Sequence, residues 1–458
     1  MLRRNLNNHS SSVIQVLDDE PDLHALHRHA PERYPFLLQS TTTESALGRF
    51  DILFACPGEA LVLDHVGSVD GDDKPLEFLK TLDEQWQSVS VENSNSELPF
   101  TGGWFLYLGY ELAAEIEPAL RHEVDPILPA AFAVRCRAAL ICDKQSRKNY
   151  VVYEADANLD MDSVMRDIVE CQTARAQVNP LATMQLEATE EDPEDYVAAV
   201  IRAKDHIAAG DVYQANLSRS WSASADEQVD TDKIYASLSR SNPAPFAGLI
   251  RWKDATIMSS SPERLLQIRD GMVSTRPIAG TRPRSDDRDT DESLSAELFA
   301  NSKEIAEHVM LIDLERNDLG RVCEPGTVEV NEMMVLESYS HVHHIVSNVR
   351  GTLRAGVTPG DAIRAVFPGG TITGCPKVRC MEIIQELEKG PRGAYTGSFG
   401  YLNRDGSLDL NILIRTMVAR GNTISFRAGS GIVADSEPDA ELAETRAKAK
   451  GMLRALAS

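Results

Sequence analysis

The 458-residue chain is short of positive charge: 46 Lys and Arg stand against 70 Asp and Glu, a formal net charge of −24. A field of that sign repels nucleic acid and anionic membrane surfaces, so neither is expected as a partner. Long apolar runs are missing too. Nothing approaches the roughly 20 residues a helix needs to cross a bilayer. Residues 1–9 lack the apolar stretch of a secretory signal. Cysteines are few. The seven present, an odd number, show neither metal-ligand nor redox spacing. They are expected to be free thiols in a reducing cytoplasm. Repeats at solenoid or propeller periods are absent.

What is present is ordinary for a globular protein: 42% hydrophobic and 25% charged residues. The length suits two or three domains, or one large layered one. The most informative stretch is Phe367-Pro368-Gly369-Gly370-Thr371-Ile372-Thr373-Gly374-Cys375-Pro376-Lys377-Val378-Arg379. Its glycines permit close backbone approaches. Pro376 suits a first helical position, and Val378, Met381, Ile384 and Leu387 then recur at helical spacing. Helix starts behind such loops favour anions.

Short apolar runs at 35–40 and 49–55 predict strands, and 131–153 predicts two more around a polar turn at 142–148. Helices are expected over 75–88, 159–176 and 194–209, the last ended by Gly210. In the C-terminal third, strands are expected over 395–402, 408–418 and 423–427. Short glycine-containing joints at 403–406 and 421–422 make them antiparallel hairpins. A closing helix follows over 437–457. Hairpins with helices outside predict an α+β fold.

Two expected helices supply carboxylates at a spacing of three: Glu304 with Glu307, and Glu441 with Glu444. Facing carboxylates suit Mg²⁺, a hard cation, although solvated helix charges have the same spacing. Lys448 lies one turn after Glu444 on the same face. Arg415 interrupts an apolar run, which is unfavourable unless the guanidinium finds an anion. Glu263 follows Pro262 between two apolar runs, so the turn that carries it lies close to a core. In His341-Val342-His343-His344, alternation places His341 and His343 on one strand face and His344 on the other.

Three motifs carry a family resemblance: Gly370 through Arg379 of the stretch above, Ile412-Leu413-Ile414-Arg415-Thr416, and Ala428-Gly429-Ser430-Gly431-Ile432-Val433-Ala434-Asp435-Ser436. Together they resemble the chorismate-utilising enzymes: component I of anthranilate and of aminodeoxychorismate synthase, and the isochorismate and salicylate synthases. The resemblance is strong from Asp192 onward and weaker before it. It implies a large antiparallel β-sandwich core with helices on the outside, like anthranilate synthase component I. The implied divisions are an N-terminal domain at 14–155, a helix and linker at 156–191, and a chorismate-binding domain at 192–455.

The resemblance also implies roles. Glu263 is the general acid for the ring hydroxyl, and His344 and Thr281 join it in the active site. Glu307 and Glu444 are Mg²⁺ ligands gripping the ring carboxylate, with Glu304 and Glu441 behind them. Arg415 and Lys448, with the backbone of Gly429, Ser430 and Gly431, bind the enolpyruvyl carboxylate. Tyr395 and Thr327 complete the substrate-binding set. Leu38 and Ser40 match a pocket that takes tryptophan in the family, and an ordinary core strand reads equally well there.

Within the family, Arg276-Pro277-Ile278-Ala279-Gly280-Thr281 has alanine where the water-using members carry a lysine base. Many aminodeoxychorismate synthases also carry lysine there, whereas anthranilate synthases carry alanine. Three windows point the other way: Gln214-Ala215-Asn216-Leu217-Ser218, the Gly369-to-Lys377 stretch, and Tyr395-Thr396-Gly397-Ser398-Phe399-Gly400-Tyr401. They resemble aminodeoxychorismate synthase component I. That enzyme makes 4-amino-4-deoxychorismate on the route to p-aminobenzoate and folate. Its ammonia comes from a glutamine amidotransferase subunit, component II, which must be a separate chain because no Gly-x-Cys-x-Gly elbow occurs here. The alternatives are anthranilate synthase component I and a non-catalytic homologue that only binds an amidotransferase or an effector.

Overall fold

A computed structural model describes residues 11–42, 48–65, 77–92, 97–121, 123–174, 185–285, 287–338 and 342–457. The first portion runs β1 (Ser12–Leu17), α1 (Leu23–His29), β2 (Phe36–Gln39), β3 (Phe50–Leu63), α2 (Phe78–Val89), β4 (Gly103–Leu108), α3 (Ala113–Ile116), β5 (Ala131–Asp143), β6 (Lys148–Glu154) and α4 (Met161–Ala174). The middle continues with β7 (Ala188–Glu190), α5 (Pro193–Ala209), β8 (Gln214–Ser224), α6 (Thr231–Ser241), β9 (Phe246–Trp252), β10 (Ala255–Ser261), β11 (Arg264–Arg269), β12 (Met272–Arg276), β13 (Ile278–Pro283), α7 (Arg288–Ala300) and α8 (Ser302–Gly320). The last portion holds β14 (Glu329–Ser338), β15 (Val342–Thr352), α9 (Pro359–Val366), β16 (Gly374–Cys375), α10 (Lys377–Leu387), β17 (Ser398–Asn403), β18 (Leu408–Asn411), β19 (Thr416–Arg420), β20 (Thr423–Ile432) and α11 (Pro438–Leu456).

These strands pair antiparallel throughout. One path runs β7–β8–β20–β19–β10–β9–β2–β3. It continues β5–β4–β17–β18–β11–β12–β15. Strands on either side of residues 156–191 therefore share one ladder, through β2–β9 and β4–β17. The ladder folds over on itself. Phe36 on β2 and Phe105 on β4 are three strand steps apart, roughly 14 Å in a flat sheet. Their rings nevertheless stack with centroids 4.1 Å apart. Phe132 on β5 stacks on Trp252 of β9 in the same way at 3.9 Å. The two inner faces thus close on an aromatic core that includes Phe54, Phe100 and Phe399. Helices α1, α4, α6 and α11 cover one outer face, and α2, α8 and α9 cover the other. This is the expected α+β arrangement, an antiparallel sandwich with helices outside.

Two local expectations change. The 408–418 run is not one strand: β18 ends at Asn411 and β19 begins at Thr416. Pro376 is the N-cap of α10 and not its first helical residue, and Val378 is 37% exposed while Met381 and Ile384 are buried. No helix among the described residues is long and apolar enough to cross a membrane.

Candidate active site

The chain passes from one sheet of the sandwich to the other at two neighbouring places. One crossing is Pro262-Glu263, between β10, which pairs with β9 and β19, and β11, which pairs with β12 and β18. The other is 412–415, between β18 and β19. The crossings are tied together: Ile412 N–H donates to the Glu263 carbonyl at 3.0 Å, and Ser260 N–H donates to the Arg415 carbonyl at 3.1 Å. Arg415 itself has φ 52°, a left-handed conformation that turns the chain out of the regular extended path of a strand. That explains the broken strand. It also sets Arg415 beside Glu263 although the two are 152 positions apart in sequence.

Glu263 is 4% exposed. Burial pushes its carboxyl up to about 8. The Thr371 hydroxyl, the Ile278 N–H and the Arg415 charge resist that rise, and a second carboxylate, Glu315, adds to it. Ile278 N–H lies 3.4 Å from Glu263 Oε1. Arg415 is half-buried, and among the described residues no hydrogen bond or ion pair holds its guanidinium. Burial lowers its pKa, with Glu263 opposing. A cation left without an anion inside a chain of net charge −24 is the most distinctive feature of the site.

His344 is buried on β15, opposite Thr281 of β13. Its Nδ1 is 2.8 Å from Thr281 Oγ1. Burial, helped by the Arg415 charge, pulls its pKa down to about 3, so the ring is neutral. Next to Thr281, Gly280 has φ 68°, and a Cβ there would meet Glu304 Oε2 at 2.7 Å. This glycine lets α8 bring Glu304 against β13. Glu304 Oε1 accepts from Arg282 at 2.9 Å and from Asn301 at 3.0 Å, and its Oε2 is buried without a partner. Glu307 lies one turn on and is half-buried.

The second half of the site is built on β20 and α11. Gly429, Ser430 and Gly431 lie opposite Ser218, Leu217 and Asn216 of β8. Beyond Phe426, β20 has no partner on its β19 side. Lys448 Nζ donates to the Gly429 carbonyl at 3.0 Å, so this carbonyl points away from β8. In an antiparallel ladder the N–H of the same residue points the same way, as does that of Gly431 two residues on. The glycines also admit their neighbours. A Cβ on Gly429 would meet the Tyr395 hydroxyl at 2.8 Å, and one on Gly431 would meet Gln214 Nε2 at 2.3 Å. Ser430 is turned instead into the core, where its hydroxyl meets that of Tyr196 at 2.8 Å. On α11, Glu444 pairs with Lys448 at 2.8 Å, both about half-exposed. Glu441 is buried, accepts from Ser436 at 2.6 Å, and keeps Oε2 without a partner.

No three of the four glutamates bring ligand atoms within 4.8 Å of one another. Among the described residues, His29, Asp167 and Glu170 are the group whose ligand atoms lie within 4.8 Å of one another. That group is mostly exposed, and its Asp167 is already held by Arg33 and Tyr34. Glu304 and Glu441 do fit a hard cation in kind: each offers one buried carboxylate oxygen that nothing satisfies. Thr327 is not brought to the site. Its hydroxyl donates to the Glu324 carbonyl at 2.7 Å and accepts from Thr352 N–H at 3.2 Å. Thr352 is eight residues along β15 from His344, roughly 26 Å. His341 lies outside the described residues. Leu38 lines a cavity of about 90 Å³ with Phe50, Ile52, Phe246 and Phe399. That is below the ~300–1,000 Å³ usual for ligand pockets. Ser40 turns away from it, its N–H to Asp51 at 2.9 Å and its hydroxyl to Thr42 at 3.0 Å.

A buried set was missed in the sequence. Glu315 and Asp318 are 4% and 3% exposed on the inner face of α8, and Lys377 reaches Asp318 at 2.5 Å. The signal was available: His308, Leu311, Glu315 and Asp318 recur at helical spacing, which places carboxylates within an apolar stripe. The buried Glu388 holding Arg392 at 2.5 Å and Arg427 at 3.2 Å was missed as well.

Residues 34–454 match the family of chorismate binding enzymes. An anthranilate synthase component I-like protein of Synechocystis is 42% identical over 371 residues, 80% of this chain and 75% of the relative. Aminodeoxychorismate synthase component 1 of Bacillus subtilis is 41% identical over 382 residues, 81% of this chain and 80% of the relative. The crystal structure of anthranilate synthase component I from Streptococcus pneumoniae is similar with a TM-score of 0.77 at 32% identity, covering 90% of this chain and 93% of that one. The chain belongs to the chorismate binding enzyme family. It is a chorismate-utilising enzyme with relatives bearing both synthase names.

Proposed function

We propose that the chain aminates chorismate with ammonia to give 4-amino-4-deoxychorismate, as the component I of an aminodeoxychorismate synthase. The observation that carries this reading is Arg415, a half-buried guanidinium with no anion, beside Glu263, a buried carboxyl whose pKa is raised to about 8. The first is made for a substrate carboxylate, which it can grip with two parallel N–H donors. The second holds a proton near neutrality and can give it up to a leaving oxygen. Glu263 donates that proton to the ring hydroxyl as its C–O bond breaks. Water leaves, ammonia forms the new C–N bond, and the resulting ammonium loses a proton. Lys448 and the outward N–H groups of Gly429 and Gly431 complete the carboxylate clamp, with Tyr395 above them. His344, neutral and held by Thr281, offers a hydrogen bond without adding charge.

Glu307 and Glu444, supported by Glu304 and Glu441, would hold Mg²⁺. When bound, the cation supplies the positive charge that a second substrate carboxylate needs. The ammonia would come from a glutamine amidotransferase subunit in the cytoplasm, and the product would feed p-aminobenzoate and folate synthesis.

The choice of product rests on where the three distinguishing windows lie. Asn216 to Ser218 pair with the Gly429–Gly431 clamp, Gly374 and Cys375 pair with Ala215 and Gln214, and Ser398 begins the strand that follows Tyr395. All three border the candidate site. One observation favours anthranilate instead. Ala279 is the neighbour of Ile278, whose N–H faces Glu263, so the one anthranilate-type residue lies beside the acid. The test is to incubate the purified protein with chorismate, Mg²⁺ and ammonium at mildly alkaline pH. The expected product keeps its enolpyruvyl group and becomes p-aminobenzoate only after a separate lyase is added. Direct release of anthranilate and pyruvate would establish the second reading, and unchanged chorismate would overturn both.

A further inference from the structure

The glycines of the proposed clamp lie on β20, and β8 holds β20 from behind. The far edge of β8 is covered by β16 at Gln214 and Ala215 and by β7 from Trp221 to Ala223. Between these two, among the described residues, no strand pairs with it. A buried edge must find other partners for its N–H and C=O groups. Here they are side chains. The Ser218 N–H donates to Glu388 Oε1 at 2.7 Å, and the Asn216 carbonyl accepts from Arg392 at 2.7 Å.

The Arg392 side chain is 2% exposed. A guanidinium has five N–H donors in a rigid fork. In Arg392 all five are used. Nε donates to Glu388 Oε2 at 2.9 Å, and one terminal nitrogen donates to Glu388 Oε1 at 2.5 Å as well as to the Asn216 carbonyl. The other terminal nitrogen donates to the Ile372 carbonyl at 3.1 Å and to Thr396 Oγ1 at 3.3 Å. The charged centre lies 4.8 Å from the Tyr110 ring and 5.6 Å from the Tyr395 ring, within reach of cation–π attraction. Glu388 keeps its charge: burial opposes it, yet Arg392, Arg427 and the Ser218 N–H hold its pKa below the ordinary 4.5. Arg392 is thus the opposite of Arg415, with no donor left for a ligand. Asn216, Ile372 and Thr396 come one from each of the three windows that bear on the product.

We propose, resting on the reading of Tyr395, Gly429 and Gly431 as parts of the carboxylate clamp, that Arg392 is the positioning residue of that clamp: it fixes β8, the Gly370–Ile372 turn and Tyr395 in one register without touching the substrate. The route to the clamp is short. Tyr395 N–H donates to the Arg392 carbonyl at 3.1 Å, so the two residues share one turn. The Tyr395 hydroxyl then lies over Gly429, 2.8 Å from where a Cβ would be. Lysine cannot do the same, because its three donors spring from one point and form no planar fork. A clamp grips the substrate in the ground state and the transition state alike, so disturbing it acts on KM.

The test uses Arg392→Lys and Tyr395→Phe, singly and together. In Arg392→Lys, KM for chorismate is expected to rise about tenfold while kcat stays within about threefold of the parent. Made in Tyr395→Phe, the same substitution is expected to cost only about threefold, because part of its effect passes through the tyrosine. A second readout needs no substrate. The ¹⁹F resonance of 3-fluorotyrosine at position 395, assigned with Tyr395→Phe, is expected to move in Arg392→Lys toward that of the free amino acid. Should Arg392→Lys fail to fold, Thr396→Val removes one of the five bonds and keeps the shape, and KM is expected to rise about twofold to threefold. An unchanged KM in the folded variant, or losses that multiply in the double variant as for independent sites, would overturn the positioning role. A resonance that moves as expected, in a protein whose parent leaves chorismate unchanged, would keep that role and remove the clamp reading instead.

Discussion

Glu263 and Glu444 belong to the same candidate site, and the fold handles them in opposite ways. Glu263 is 4% exposed, has no ion-pair partner among the described residues, and has its pKa raised to about 8. Glu444 is 49% exposed at its side chain and pairs with Lys448 at 2.8 Å. The first lies at a sheet crossing locked by backbone hydrogen bonds from both strands. The second projects from α11 on a bond that is cheap to exchange, since an exposed ion pair contributes only about 0–1 kcal/mol. The half built on Glu263, on the proposed reading the acid half, would therefore be ready before substrate arrives. The carboxylate half is balanced by its own lysine, and on the proposed reading a cation and an anion would divide the pair between them. On the proposed reading this would let a chain of net charge −24 receive an anionic substrate: among the described residues one guanidinium is left without a partner, and one lysine is held only loosely.

The largest expected effect is in the buried half. Glu263→Gln should lower kcat by about 10²–10⁴-fold, the usual worth of a general acid. Stability should move the other way. The folded pKa of Glu263 lies above its ordinary value of 4.5, so its contribution is fully present below about 4.5 and is lost as pH rises toward 8. The Gln variant escapes that loss, and its Tm relative to the parent should rise between those pH values. A parent-like kcat, or a Tm difference independent of pH, would break the contrast with Glu444.

Arg415→Lys comes next. It keeps the charge and loses the planar fork, so kcat/KM for chorismate should fall by about 2–3 kcal/mol, with folding intact. Equal kcat/KM would mean that Arg415 is not the clamp. In the exposed half, Glu444→Gln should weaken Mg²⁺ binding about tenfold in calorimetry while leaving Tm unchanged, because only a solvated pair is lost. A large drop in Tm would show that this half is as rigid as the other. The smallest effect belongs to Thr327→Val, which should cost about 1 kcal/mol or less in stability and nothing in kcat. A lost kcat would bring this turn into the site after all.

Element types were largely legible in the sequence because hairpin joints and helical periodicity are local signals. The antiparallel ladders of β17–β18 and β19–β20 follow from Asn403-to-Gly406 and Gly421-Asn422. The break before Thr416 was not legible, because the apolar run continues through the sheet crossing and only the left-handed conformation of Arg415 reveals it. Candidate residues inside dense motifs, such as Arg415 and Gly429, could be singled out from pattern, whereas Glu444 was singled out by its helical spacing and the resemblance. Thr327 was named from the resemblance alone, and it serves a turn at the far end of β15. Glu315 was not singled out in the sequence, although its spacing places it on the apolar stripe of α8. Its burial depends on the Gly370 turn closing over it, a contact between residues 55 positions apart.

The contrast between a ready acid half and a loosely balanced carboxylate half is tested most directly by chorismate binding to Glu263→Gln, which should not turn over, measured calorimetrically with and without Mg²⁺. If the cation must draw Glu444 from Lys448 before the clamp is complete, Mg²⁺ should tighten the Kd for chorismate at least about tenfold. By reciprocity, chorismate should tighten the Kd for Mg²⁺ by the same factor. Identical chorismate Kd values in the two conditions would contradict it, and would mean that Arg415 and the β20 edge bind the substrate with no help from the glutamates of α8 and α11.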